Sequence, residues 1–99
     1  MQDLNDLVYF AEVVDRGGFA AAGRALGLPK SRLSRRVAEL ETRLGVRLLQ
    51  RTTRKLSMTA VGEQYHRHCV AMREDAQAAA DAVAQAQTEP RGTIRVACP

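Results

Sequence analysis

Apolar residues recur at helical spacing through the first half of the chain and divide it into three short helices. The first is predicted from about Asp3, a plausible N-cap, to Arg16, and Gly17-Gly18 ends it, because glycine adopts the left-handed conformation at a helix C-terminus without strain. The second, rich in alanine, is predicted from Phe19 to about Leu26, and Gly27 closes it. The third follows a tight turn and covers residues 30 to 44.

This third helix is amphipathic, with a regular apolar side and an exposed side that is mostly arginine. Its apolar residues recur at steps of four, three and four, which places them on one inward stripe, and they are Leu33, Val37, Leu40 and Leu44. The polar side chains of its first turn and a half are Lys30, Ser31, Ser34 and Arg35. Two short helices joined by a tight glycine turn, the second of them basic, predict a helix-turn-helix.

After Gly45 the pattern changes from helical to extended. Two apolar pieces, Val46–Leu49 and Leu56–Met58, flank a basic, threonine-rich stretch and predict a small β-hairpin, or wing. Such a wing would place its cations on a nucleic-acid backbone or in a minor groove, and these are Arg51, Arg54 and Lys55. Thr59 is then a plausible N-cap for the longest helix, which is predicted to continue to about Gln87.

The long helix carries an a/d heptad row, whose members are Tyr65, Cys69, Met72, Ala76, Ala79, Val83 and Ala86. A helix of roughly 28 residues is about 42 Å long, too long for so small a domain to cover alone. We therefore expect a homodimer through this helix. The row could also pack in the core against the first helix. We expect both contacts: the N-terminal half of the row packs on the domain, and the C-terminal half packs on the partner.

Composition changes again beyond residue 88. A proline and a glycine end the long helix, and Thr93–Ala97 alternates like the first strand of a new unit that has nothing here to pair with. We therefore expect three parts: a DNA-binding domain over 1–58, a linker and dimerisation helix over 59–88, and over 89–99 the hinge and first strand of a truncated domain.

Charge is concentrated where the basic helix and the wing lie. The net charge of the chain is only +4, but residues 24 to 55 hold ten basic and two acidic side chains, a local balance of +8. A basic surface so localised favours a polyanion such as duplex DNA over a merely solvated helix face. Within it, Arg36 and Arg43 are expected to be surface or ion-pair residues rather than base readers.

Other classes of function find little support. Cys69 and Cys98 are far apart and form no CxxC motif, which fits a reducing cytoplasm, and no apolar run approaches the length of a membrane span. His66 and His68 point about 200° apart on a helix and cannot share a metal ion from one face. With no nucleophile–base pair and no phosphate-cradling glycine loop, neither an enzyme nor a cofactor is expected.

Three motifs carry a family resemblance over essentially the whole chain. LxxFxxVxxxGGFxxAxxxLG is followed by SRLSRRVAELETRLGVRLLQRTTRKLSMTAVGE, and then by a long helix that ends in a Pro-Gly turn and GTIRV. This order resembles the N-terminal DNA-binding domain of a LysR-type transcriptional regulator. The resemblance implies a mainly α fold: a winged helix-turn-helix with a small β-hairpin wing and a long C-terminal linker helix that dimerises.

The resemblance also implies which residues meet DNA: on the third helix, Lys30, Ser31, Arg32, Ser34 and Arg35, and on the wing, Arg51, Thr53 and Arg54. A small-molecule effector would act only through a following domain, and the full-length protein would be a cytoplasmic, nucleoid-associated dimer or tetramer. Two departures stand out. The family often has Ser-Phe-Thr where this chain has Gly18-Phe19-Ala20, and Leu-Phe where it has Leu48-Leu49.

The sequence thus predicts sequence-specific binding of double-stranded DNA by a homodimer. Two alternatives stay open: a dimeric protein-interaction module whose basic face binds an acidic protein, and a nonspecific architectural DNA binder. Salt dependence separates the first from DNA binding, and competition by random DNA separates the second.

Overall fold

Helices and one hairpin follow the predicted order in the computed structural model, which describes residues 3–51 and 55–88. The predicted fold class is confirmed: a mainly helical chain with a two-stranded antiparallel hairpin and a long last helix. The elements are α1 (Leu4–Arg16), α2 (Phe19–Leu26), α3 (Lys30–Leu44), β1 (Leu49–Arg51), β2 (Leu56–Met58) and α4 (Ala60–Thr88).

The ends of α1 follow from its sequence. The carboxylate of Asp3 accepts a hydrogen bond from the backbone N–H of Asn5 at 2.9 Å, which confirms the predicted N-cap. Gly17 follows the last turn in the left-handed conformation, with φ of 82°, and turns the chain toward α2.

The core lies where α1, α2 and α3 meet under the hairpin and the first half of α4. Leu33, Val37 and Leu40 of the predicted stripe are completely buried, and Leu44 is half-buried. Cys69 reaches this core from α4 and is also completely buried. Burial raises the pKa of the Cys69 thiol to about 11, so this side chain is a neutral, apolar packing group.

A buried glycine sets the distance between the two helices of the helix-turn-helix. A Cβ atom on Gly23 would lie 2.6 Å from the carbonyl oxygen of Leu28, in the turn that leads into α3. Glycine at this position therefore lets the turn pass directly over α2, which fixes the angle at which α3 leaves the domain.

The hairpin is shorter than the sequence suggested. Its strands pair Leu49 with Met58 and Arg51 with Leu56, so β1 begins three residues after the predicted start at Val46. The reason is a side chain of α3: the carboxylate of Glu41 accepts the backbone N–H groups of Leu48 at 2.8 Å and Leu49 at 3.0 Å. These amides are satisfied by a side chain rather than by a partner strand.

The start of α4 is fastened to the base of the hairpin. Thr59 caps the helix as predicted, because its hydroxyl accepts the N–H of Gly62 at 2.9 Å and donates to the carbonyl of Arg47 at 2.7 Å. A Cβ atom on Gly62 would lie only 2.0 Å from the carbonyl oxygen of Leu48. Only glycine allows the helix and the hairpin to come this close.

Further along, α4 is tied to α1 by charged groups. Arg73 donates to Asp15 at 2.7 Å and to Glu12 at 3.2 Å, and the ring of His66 lies 3.0 Å from Asp15. Burial alone would raise the pKa of Asp15, but the hydrogen bonds from Arg73 and His66 lower it.

Beyond this cluster, residues 74–87 are all exposed. Among the residues described, no helix is both long enough and apolar enough to cross a membrane.

Candidate nucleic-acid interface

The N-terminal half of α3 presents the predicted polar residues to solvent. Successive residues of an α-helix lie 100° apart, so Ser31 and Arg35 share the side of α3 that is opposite its buried stripe. Lys30, Ser31, Arg32 and Arg35 are exposed, and Ser34 is half-buried. All five predicted residues therefore lie on the accessible part of the helix.

The basic residues of α3 divide into two groups. Arg36 donates to Asp6 at 2.8 Å and to Asp3 at 2.7 Å, and Arg43 donates to Asp6 at 2.5 Å, which confirms that both are ion-pair residues. By contrast, Lys30, Arg32 and Arg35 make no ion pair with any residue that the structure describes. The second group is available to a partner outside the chain.

An open groove of about 760 Å³ brings α3 and the wing together. It lies between the N-terminus of α3, the glycine corner before α2, and the hairpin, and its polar lining consists of Lys30, Ser31, Ser34, Arg51 and Lys55. The structure thus places Arg51 of the wing beside the predicted residues of α3. The other two predicted wing residues, Thr53 and Arg54, lie outside the described residues.

Arg51 is held by two contacts that the sequence did not predict. Its guanidinium lies 5.6 Å from the centre of the Phe19 ring, and its Nη2 atom lies 3.6 Å from Oε1 of Glu41. Phe19 belongs to α2 and Glu41 to the last turns of α3. No spacing in the sequence signals a contact among these three elements, because it depends on how the helices pack.

The N-terminus of α2 faces the same groove without a side-chain cap. Gly18 is the N-cap residue, and it has no side chain with which to cap the helix. Gly18, Phe19 and Ala20 all line the groove. The first-turn amides of α2 are thus free of a side-chain cap, as suits an anion.

Restoring a hydroxyl at this cap should stabilise the chain. A Cβ atom on Gly18 would meet nothing within 4 Å, and the backbone there is extended, so Gly18→Ser fits without strain. We expect Gly18→Ser to raise the free energy of unfolding by about 0.5 kcal/mol, because serine caps a helix better than glycine and restricts the unfolded chain. Thermal unfolding of Gly18→Ser and of its control Gly18→Ala measures this. Equal melting temperatures for the two variants would show that the hydroxyl does not cap α2.

The predicted dimerisation residues fall into two sets along α4. Tyr65 and Met72 are half-buried, and Tyr65 packs on Phe10 of α1 with ring centroids 5.9 Å apart. Cys69 has no exposed surface, because it packs into the core of its own chain. The remaining members are all exposed, and they are Ala76, Ala79 and Val83.

Comparison with known proteins agrees with this architecture. Residues 4–63 match the model of the family described as bacterial regulatory helix-turn-helix protein, lysR family. An HTH-type transcriptional regulator of Xanthomonas campestris pv. campestris (strain 8004) is 50% identical over 97 residues, which are 98% of this chain and 28% of that protein. The chain therefore spans less than a third of the length of this curated relative.

Solved structures share the fold. The BenM_DBD/catB site 1 DNA complex superposes with a TM-score of 0.81 at 24% identity, over 91% of this chain and 100% of that chain. The CbnR_DBD–DNA complex superposes with a TM-score of 0.74 at 30% identity, over 87% of this chain and 99% of that chain. The family match over most of the described domain is decisive: this chain belongs to the LysR family of DNA-binding, helix-turn-helix transcriptional regulators.

Proposed function

We propose that the chain binds double-stranded DNA sequence-specifically as a homodimer, with α3 in the major groove and the wing on the backbone or in the minor groove. The observation that carries this proposal is the group formed by Lys30, Arg32 and Arg35, which are exposed and without an ion-pair partner in the described chain. DNA would supply the missing anions. The CbnR_DBD–DNA complex, which is 30% identical to this chain, supports DNA as the partner of this fold.

The roles of individual residues follow from their positions. Ser31 and Arg35 project from the side of α3 opposite the core, which suits contact with base edges at the floor of a major groove. Lys30 and Arg51 line the protein groove between α3 and the wing. This position suits contact with the phosphates along the edge of the DNA major groove. Thr53 and Arg54 are proposed as further wing contacts on the sequence resemblance alone.

Selection of bound sites from a random DNA pool tests the proposal. We expect enrichment of a two-fold symmetric site, with log affinity falling by about 0.9 per phosphate contact against log salt. Displacement by random DNA as effective as by the selected site would favour an architectural binder. Absence of binding to any duplex at low salt would favour a protein-interaction module.

Arg35→Ala is expected to weaken binding to the selected site by about 1–3 kcal/mol and to relax base preference at one position, because arginine reads guanine with two hydrogen bonds. Mobility-shift titrations on the selected and a scrambled duplex measure both effects. Arg67→Ala is the matched control, since Arg67 is an exposed arginine on α4 away from the groove. If the two variants behaved alike on both duplexes, Arg35 would not be a base-reading residue.

The proposed dimer rests on the outer half of α4. The heptad row continues through Ala76, Ala79 and Val83, in a segment of α4 that no other described part of the chain covers, and Val83 is 59% exposed. The same row on a second copy is the simplest apolar surface to cover it. This exposed half, residues 74–87, extends about 21 Å, enough for two heptads of contact.

Val83→Glu is expected to shift the chain from dimer to monomer, because each copy would bury an unpaired carboxylate in the apolar contact. Sedimentation measured over a range of protein concentrations reports the change. Ala78→Glu adds the same charge to an exposed position off the row and should leave the dimer intact. If the Val83→Glu variant remained dimeric, α4 would not form the dimer interface.

A further inference from the structure

Glu41 is a nearly buried acid on α3, with a side chain only 6% exposed. One of its oxygens, Oε2, accepts the backbone N–H groups of Leu48 and Leu49 where the chain enters β1. Two charge-assisted hydrogen bonds satisfy this oxygen and fix the base of the wing against α3. Arg47 adds a longer contact to the same oxygen, with its Nε atom at 3.9 Å.

The other oxygen has a different partner. Oε1 lies 3.6 Å from Nη2 of Arg51, whose guanidinium also lies over the ring of Phe19. Because Glu41 is only 6% exposed, Oε1 would carry a desolvation cost without a partner, and Arg51 is the cation that offsets this cost. The contact of Oε1 holds the head of Arg51 at the groove that Lys30 and Ser31 also line.

We propose that Glu41 is a positioning residue for DNA binding: it holds the guanidinium of Arg51 at the groove in the free protein, ready for a phosphate. This inference rests on the proposed function. Arginine has a long side chain whose freedom is lost when it binds, and a side chain that is already held loses less. The contact at 3.6 Å is longer than a direct hydrogen bond and the Arg51 side chain is 32% exposed, so its N–H groups stay available to a phosphate while Glu41 holds the guanidinium in place.

The direction of the change in DNA affinity distinguishes a positioning residue from an acid that takes no part in binding. Removing a negative charge near DNA ordinarily strengthens binding, because repulsion from the phosphates is lost. Glu39→Gln, an exposed acid on the same helix, is the matched control and should bind a random-sequence duplex at least as tightly as the unmodified chain. Glu41→Gln keeps an oxygen for the amides of Leu48 and Leu49 but loses the charge that holds Arg51. We expect it to bind roughly 3- to 10-fold more weakly, the factor for immobilising one long side chain.

The double variant tests whether the effect passes through Arg51. In an Arg51→Ala background, Glu41→Gln should cause no further weakening, because the group that it positions is gone. Mobility-shift titrations of the four proteins, with thermal unfolding to establish the folded fraction, complete the cycle. The role is overturned if Glu41→Gln tightens binding as Glu39→Gln does, or if it weakens binding equally with and without Arg51.

A measurement on the unmodified chain covers the case in which Glu41→Gln does not fold. NMR relaxation of the Arg51 Nε–H group should show less side-chain motion than that of Arg35, which has no ion-pair partner among the described residues. Equal mobility of the two would overturn the role of Glu41. Failure of the unmodified chain to bind any duplex would overturn the proposed function itself, and the relaxation result, which needs no DNA, keeps the two failures apart.

Discussion

Gly62→Ala is expected to lower the free energy of unfolding by about 3 kcal/mol or more, although alanine is the better helix former by about 1 kcal/mol. The added Cβ atom would lie 2.0 Å from the carbonyl oxygen of Leu48 and 2.9 Å from its carbonyl carbon. Both are backbone atoms, so no side-chain rotation relieves the contact. The first turn of α4 must move away from the hairpin, and the Thr59 cap must move with it.

Urea unfolding followed by circular dichroism measures this loss. Gly18→Ala is the control, because a Cβ atom there meets nothing within 4 Å and the same change of residue should cost little. In a Cys98→Ser background, the Cys69 thiol adds a second readout, since it is buried in the core and should react with a thiol reagent only when α4 moves. An unchanged free energy of unfolding would contradict the close approach of Gly62 to Leu48.

Asp6→Asn should lower the free energy of unfolding by about 2–4 kcal/mol at neutral pH. The Asp6 side chain is 1% exposed and accepts one hydrogen bond from Arg36 and one from Arg43. Breaking a buried ion pair on one side costs about 3–5 kcal/mol, and the figure is smaller here because both arginines reach solvent. Asparagine has nearly the shape of aspartate, so the loss would report charge rather than packing.

Asp3→Asn is the matched control for Asp6→Asn. Asp3 also pairs with Arg36, at 2.7 Å, but it is 47% exposed, and asparagine preserves its N-cap function. We expect a much smaller loss of stability in chemical denaturation. Equal losses for the two variants would mean that burial of Asp6 contributes nothing to the strength of its ion pairs.

The local features of this fold were readable from the sequence. The bounds of α2 agree with the prediction at both ends, and Asp3 and Thr59 cap the helices that they were expected to cap. Helical periodicity, glycine stops and capping residues each depend on residues only a few positions apart, so a short stretch of sequence is enough to predict where a helix begins and ends. The exposure of Arg35 follows directly from its place opposite the apolar stripe.

The pairings of the acids were not readable. Asp6 lies in the first turn of α1, where a negative charge suits the helix end, yet it binds arginines 30 and 37 positions away. Glu41 is one of the two acids in the basic stretch of residues 24 to 55, and nothing in that pattern indicates that it binds the amides of Leu48 and Leu49. Such partners depend on the angle at which α1, α3 and the hairpin pack. The heptad row was ambiguous for a related reason: its period is the same whether the facing helix belongs to the same chain, as for Cys69, or to another copy.

The contacts that hold α4 also constrain the geometry of the proposed DNA site. Thr59 and Gly62 tie this helix to the hairpin, and Arg73 ties it to α1, so α3 and α4 turn together as one stiff piece. In a dimer joined through α4, the distance between the two copies of α3 would then be set by how far the two long helices overlap. Sliding that overlap by one heptad changes the distance by about 10 Å, or about three base pairs of duplex. We therefore expect the length and overlap of α4 to determine the spacing between the two half-sites of the operator.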